Sequence, residues 1–353
     1  MRILIISNLY PSKSSPSYGS FVKNFDDQLR KDCRVQYVKG IYIKGLHGST
    51  YRKIISYFLF YLKILYFTLF HHYDLIYVHL ISHSTLPLRI ANFFRPLALI
   101  FNIHGEDLLV TTPLAKKLRD LALPLVKKAR FIVVPSQYFK SITEEYLPDY
   151  PKDKILVSAS GGVKSIFKPH TARYDKQRLK IGYVSRIDRG KGWDVFIDAI
   201  DMLKDKYNEL TVEIAGGGPE VQKMMKKISD CKLSEISYRG PIAHDELPAF
   251  YQTLDLFVFP TLLRESLGLV GLEAMACGIP VIGSNIGGLT DYIKDGYNGF
   301  LFSPGDAKEL SDKIRIYMNL NLDQKDSLSK GALTTAADYS EDVVSSKLFN
   351  IIL

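Results

Sequence analysis

Glu265 and Glu273 are the first residues whose placement suggests chemistry. They lie in RESLGLVGLEAMACG (264–278), and the seven residues between them carry no charge. Taking a carboxylate out of water costs several kcal/mol unless a partner meets it. Two carboxylates in so apolar a run are therefore expected to face a ligand; surface ion pairs are the alternative, which the neighbours disfavour. A second group is cationic. In GYVSRIDRGKGWDVFIDAI, Arg186 and Lys191 sit in a loop that ends at Gly192, just before a helix opening at Trp193. An Arg that binds bidentately and a Lys that supplies a point charge, beside a helix N-terminus, suit a polyphosphate; Arg189 reads as solvated surface charge. A third group, His104, Gly105, Glu106 and Asp107 in NIHGED, closes an apolar run, where polar residues belong to a site more often than to a core. In SNLYPSKSSPSYGSFVKNF, Gly19 lets the backbone approach a phosphate at a helix start. It equally suits a plain strand-to-helix turn, and that loop alone leaves both readings open.

The elements that must hold these groups read as strand, helix, strand. Short apolar runs at 2–7, 34–39, 74–80, 97–103, 130–136 and 154–160 form one series. Those at 179–185, 210–216, 236–240, 255–260, 279–284 and 299–302 form a second. Strands apolar on both faces, with helices between, imply parallel sheets covered on each side. The expected fold is α/β, two doubly wound Rossmann-like domains facing across a cleft. Residues 1–165 form an N-terminal domain and 166–178 a linker. A second domain takes 179–335, and 336–353 reads as a C-terminal helix. Every loop singled out follows a strand, where such sheets bind ligands. On a continuous helix Glu265 and Glu273 are about 12 Å apart, too far to share a proton or a metal. They are placed for different parts of one elongated ligand. AGGGPE (215–220) is another glycine turn, but it is not a GxGxxG followed by a ribose-binding acid, so a dinucleotide dehydrogenase is poorly supported.

Charge is uneven. The net charge is +9. Residues 1–170 hold 24 Lys+Arg against 11 Asp+Glu, and the remainder holds 22 against 26. The basic half should favour an anionic partner. Three widely spaced cysteines without a CxxC pair point to a reduced cytosolic compartment. MRILIISNLY reads as a first strand and not as a signal peptide. The apolar, Tyr- and Phe-rich segment from Ile54 to Phe70 is short for a bilayer span and carries Lys63 near its middle. It reads first as a helix packed under the sheet, and second as an aromatic and basic face at a membrane surface.

RESLGLVGLEAMACGIPVIGSNIGGLTDYIKDGYNGFLFSPGD resembles the carboxyl-terminal domain of the retaining glycosyltransferases of family 4, which have the GT-B fold. Their signature is two glutamates separated by seven residues, an AMA-G-PV turn and a G-NG-L-PGD tail. The first loop, HGED, VSASGGVKSIFKP and SRIDRGKGWDVFIDAI extend the resemblance over nearly the whole chain. It implies that 1–165 is the acceptor-side domain, that 179–335 binds the nucleotide-sugar, that the 336–353 helix packs back on the first domain, and that Arg186 and Lys191 hold the donor diphosphate and stabilise the leaving nucleoside diphosphate. Glu273 would bind the donor ribose and Glu265 the donor sugar's hydroxyls, with backbone amides of Ser266, Leu267, Gly268 and Leu269 assisting. Gly19 would lie against the diphosphate, and His104 would reach the sugar near the reaction centre. The base would sit near Arg239 and Gly240 in YRGPI, chiefly on main chain. There are two departures: Tyr18-Gly19-Ser20 stands where many members have Gly-Gly, and Gly161-Gly162-Val163 where Asn-Gly-Val is common. No DxD pair is present, which fits a family that needs no metal or other cofactor.

The implied activity is a retaining, front-face transfer of a sugar from a UDP- or GDP-sugar to a hydroxyl of a glycan or lipid-linked acceptor. Bacterial polysaccharide, capsule or lipopolysaccharide assembly is the expected setting. The expected location is the cytoplasm, peripheral at the inner face of the cell membrane. The rivals are a sugar-nucleotide 2-epimerase of similar fold and a non-enzymatic binder of nucleic acid or another anionic polymer. The first lacks an extra acid/base carboxylate pair, and the second lacks a recognition motif. A degenerate, binding-only transferase is disfavoured by the intact glutamate pair.

Overall fold

A computed structural model describes residues 1–13, 15, 18–45, 49–105, 107–110, 112–169 and 178–353. Glu106 and residues 170–177 of the expected linker lie outside the described residues. The chain divides into two units, Met1–Gly162 with Asp342–Leu353, and Val163–Glu341. The boundaries thus fall at 162 and 341, where the sequence suggested 165 and 335.

In the first unit the strands are β1 (Arg2–Tyr10), β2 (Tyr37–Lys44), β3 (Leu75–His79), β4 (Leu99–Asn102), β5 (Phe131–Val134) and β6 (Ile155–Val157). They form one parallel sheet in the order β2-β1-β3-β4-β5-β6. Successive side chains of a strand point to opposite faces, and β1 shows the consequence. Leu4 and Ile6 join a core with α2 (Thr50–Phe70), α3 (Ile81–Phe94) and α4 (Pro113–Val126). Ile3 and Ile5 instead meet Phe25 and Leu29 of α1 (Ser20–Leu29). All four strand residues are fully buried, as a sheet covered on both sides requires. The helix α5 (Gln137–Tyr146) follows β5.

The second unit repeats the plan with β7 (Leu179–Val184), β8 (Leu210–Ala215), β9 (Ile236–Tyr238), β10 (Leu256–Phe259), β11 (Val281–Ser284) and β12 (Gly299–Phe302). Its order is β12-β11-β10-β7-β8-β9, again parallel throughout. Its helices are α6 (Trp193–Asp201), α7 (Val221–Asp230), α8 (Leu247–Tyr251), α9 (Leu269–Ala276), α10 (Leu289–Tyr292), α11 (Ala307–Asn319) and α12 (Leu322–Asp338). Leu256 and Val258 share a core with Phe196 of α6 and Ile314 of α11. The last helix, α13 (Glu341–Ile352), belongs mostly to the first unit, where Leu348, Phe349 and Ile352 pack with Ile3 and Ile5.

The segment from Ile54 to Phe70 needs a correction. It begins earlier, at Thr50, and its 21 helical residues are long and apolar enough to cross a membrane. It is nevertheless a packed helix, because Phe60 and Ile64 are built into the core of the first unit. Only that narrow stripe is buried, so a helix under a sheet accounts for one of its faces and not for the rest.

Candidate active site

In a doubly wound sheet the ligand crevice opens beyond the strand carboxyl ends where strand order reverses. In the second unit the reversal falls between β7 and β10. The loop after β7 carries Arg186 and Lys191, and the loop after β10 carries Thr261 and Glu265. A half-buried ion pair joins the two loops: Lys191 Nζ donates to Glu265 Oε1 at 2.8 Å, and Thr261 Oγ1 donates to the same oxygen at 2.9 Å. Backbone geometry fixes the placement. Gly192, in the left-handed region at φ 76°, caps α6, and a Cβ there would lie 1.7 Å from the Pro260 carbonyl oxygen. Only glycine brings the Lys191 loop this close to the end of β10. Arg186 is mostly exposed and held by Asp188 at 2.6 Å.

The helix α9 starts at Leu269, one residue after Gly268, which caps it at φ 85°. Glu265 and Ser266 to Gly268 are therefore loop, and the spacing of the two glutamates along a continuous helix does not hold. What separates them is their partners. Glu273, buried inside α9, accepts from His244 Nε2 at 2.9 Å and from the Tyr251 hydroxyl at 3.4 Å. The first amides of α9, at Leu269 and Val270, have no acceptor within the helix and carry its positive dipole end. Arg239 grips Glu213 through Nη2 at 2.8 Å and Nε at 3.2 Å. Burial alone would lift the Glu213 carboxyl, but the Arg239 and Lys180 hydrogen bonds outweigh it and hold it below its ordinary value. Gly240, at φ 73°, has open space where a Cβ would stand.

In the first unit the order reverses between β1 and β3. Gly19 caps α1 at φ 71°, and a Cβ there would come within 2.6 Å of the Leu9 carbonyl carbon. The plain-turn requirement is thus sufficient to explain this glycine. His104, just past β4, pairs with His79 at the end of β3, with His79 Nδ1 and His104 Nε2 3.0 Å apart. Burial pushes the His104 imidazole down to about 3. Burial, and then the neighbouring His104, hold His79 well below its usual value. Both rings are therefore neutral, and one donates to the other. His79 Nε2 is buried without a hydrogen-bond partner among the described residues. An orphaned acceptor is more tolerable than an orphaned N–H, which assigns the proton to His79 Nδ1, donating to His104 Nε2. His104 then carries its own N–H at Nδ1. Asp107 anchors the turn, accepting from the amides of Ile81, His104 and Gly105 at 3.1 Å each. Burial lifts its carboxyl to about 6 against the pull of those amides. Leu80, between His79 and α3, is strained at φ 67°, the kind of backbone cost that functional sites retain.

Three contributors escape a reading of the motifs: Thr261, His244 and His79. Thr261 and His79 bear a signal, since each is a polar residue closing or just following an apolar strand, as His104 does. His244 gives none, because its partner Glu273 is 29 positions away.

The model of the glycosyl transferases group 1 family matches residues 156–333, just over half of the chain. A GDP-mannose-dependent phosphatidylinositol monomannoside mannosyltransferase from Mycobacterium tuberculosis is 27% identical over 186 residues, 50% of this chain and 48% of that protein. A D-inositol 3-phosphate glycosyltransferase from Paenarthrobacter aurescens is 34% identical over 137 residues, 37% of this chain and 33% of that one. The matched stretches thus span half or less of those relatives. Over its whole length the chain superposes on the Anabaena protein Alr3699/HepE, solved with UDP, with a TM-score of 0.79 at 19% identity, covering 100% of this chain and 99% of that one. Sucrose-phosphate synthase from Thermosynechococcus elongatus gives 0.76 at 17% identity, covering 99% and 98%. These structural likenesses establish the GT-B fold. With motif residues gathered where strand order reverses, and a family model spanning half the sequence, this protein belongs to the glycosyl transferases group 1 family.

Proposed function

We propose that the protein is a retaining hexosyltransferase that moves a sugar from a UDP- or GDP-sugar to a hydroxyl of a glycan or lipid-linked acceptor in bacterial surface-polysaccharide assembly. The observation that carries this reading is the Lys191–Glu265 pair tying two loops together at the strand-order reversal of the second unit, with Arg186 exposed on the same loop as Lys191. Each cation is already neutralised, Arg186 by Asp188 and Lys191 by Glu265. A donor diphosphate takes over both cations, and the released Glu265 carboxylate then accepts from the sugar's hydroxyls. As the sugar–phosphate bond breaks, negative charge grows on the leaving diphosphate. Arg186 and Lys191 stabilise it there, which is where electrostatic catalysis acts most strongly. No metal is required in this scheme. Glu273 serves the ribose, and Arg239 and Gly240 flank the base. Relatives named as GDP-mannose-dependent and a neighbour solved with UDP support a nucleotide-sugar donor and leave the base open.

Thermal-shift screening of UDP- and GDP-sugars tests the reading. A true donor at 100 times its dissociation constant adds about 2.7 kcal/mol of stability. The anomeric configuration of the product, read by NMR, then tests retention. Absence of stabilisation by every sugar nucleotide would remove the donor assignment, and an inverted product would remove the retaining mechanism.

A further inference from the structure

The outer face of the α2–α3 layer is unusual for a helix pair lying on a sheet. On α2, Tyr51, Ile55, Phe58, Leu62 and Tyr66 follow at spacings of four, three, four and four, which is one helical stripe, and all are exposed. On α3, Leu86, Ile90 and Phe93 form the matching stripe, with Phe94 beside it; Phe93 is 85% exposed. The two helices lie side by side. The Tyr57 and His83 rings are 4.9 Å apart, and Arg95, just past the end of α3, donates to the His71 carbonyl just past the end of α2 at 3.2 Å. The stripes therefore merge into one broad plate, about 30 Å along α2. Neither helix contains an Asp or a Glu. Arg52, Lys53, Lys63 and Arg89 are exposed on these helices, and none forms an ion pair with a described residue. Contiguous apolar patches of this kind on soluble proteins mark interaction sites.

We propose that this plate is a docking surface for an anionic lipid bilayer. Its aromatic and aliphatic side chains enter the headgroup boundary, and the four cations meet lipid phosphates. Lys63 reaches those phosphates on its long apolar stem. Charge decides against a second copy of this chain as the occupant. Two such plates brought face to face would oppose eight cations with no carboxylate on either helix pair, whereas an anionic membrane complements them. The surface belongs to the first unit alone and stands independently of the transferase reading.

Sedimentation of the full chain with vesicles tests the proposal without measuring transfer. The wild type should pellet with phosphatidylcholine vesicles containing phosphatidylglycerol, and far less with phosphatidylcholine alone. The double variant Phe58→Glu/Phe93→Glu should bind the anionic vesicles at least about tenfold more weakly at an unchanged melting temperature. Leu322→Glu, on the exposed start of α12, should bind as wild type does. Should the double variant fail to fold, amide exchange on the wild type replaces it, with α2 and α3 gaining protection when anionic vesicles are added. A wild type that stays in the supernatant at low salt overturns the proposal, and so does a folded double variant that binds undiminished. A wild-type dimer that the double variant dissolves, without vesicle binding, assigns the plate to self-association instead.

Discussion

Lys191 and Glu265 lie 74 positions apart in sequence and 2.8 Å apart in space. That contact is the part of the site that a string of residues shows only as two separate hints. Each residue type was legible: a cation at a strand-to-helix loop, and a carboxylate among apolar neighbours. Their pairing was not, because it depends on β7 and β10 being neighbours across the strand-order reversal. Glu265→Ala and Arg186→Ala should each lower turnover at least about tenfold, or 1.4 kcal/mol in the barrier, while circular dichroism stays unchanged. Near-wild-type turnover in either removes that residue from the site. His79 is a different case, since it is fully enclosed and touches His104 and not solvent. It positions the neighbouring ring and sets which nitrogen carries the proton. His79→Ala should therefore lower kcat with little change in the donor KM, and His79→Gln, whose amide still donates, should recover part of the loss. Equal kcat values for the two variants would mean that His79 only fills space.

At the level of elements, all twelve apolar runs picked from the sequence overlap a strand. Most agree closely because the runs are short and apolar and, away from the sheet edges, buried on both faces. The exception is β2, which runs 37–44 where 34–39 was expected. It is an edge strand whose outer half is only partly buried, and Gly40 interrupts its pattern. The glycines at the site divide by what surrounds them. Gly192 and Gly240 share a positive φ, but a Cβ at Gly192 would strike the Pro260 carbonyl while one at Gly240 meets nothing. Gly240→Ala should cost only the left-handed backbone preference, about 1–2 kcal/mol. Gly192→Ala adds a backbone collision that must push the Lys191 loop away from β10. It should cost clearly more in urea unfolding and also depress turnover. Equal costs at the two positions would show that the packing against Pro260 exerts no constraint.

For the whole molecule, the distribution of buried titratable groups makes the two units respond differently to acid. The first unit holds His79 and His104, both with depressed values, while the second holds Glu213, also depressed. A histidine that is neutral when folded takes up its proton in the unfolded chain near pH 6.5 and in the folded unit only near or below pH 3 in the case of His104. Between those values the unfolded state binds more protons, so stability is lost as pH falls. Asp107 opposes this: at about 6 when folded against an ordinary 3.8, it is protonated first in the folded unit and adds stability as pH drops through that range. Three histidines, since burial also lowers His83, against one aspartate leave a net loss, about 1.4 kcal/mol per pH unit for each net proton. Glu213 has the opposite ordering to Asp107. Its contribution is complete above its unfolded value of 4.5 and is lost only below it. Calorimetry at pH 7.5 and pH 5 should therefore show the first unit's transition moving to lower temperature while the second unit's holds. A bound sugar nucleotide identifies the second transition by raising it. His79→Gln should flatten the acid sensitivity of the first. A first-unit transition that ignores pH, or two transitions that fall together, would contradict the assignment of two buried, neutral histidines to the crevice of the first sheet.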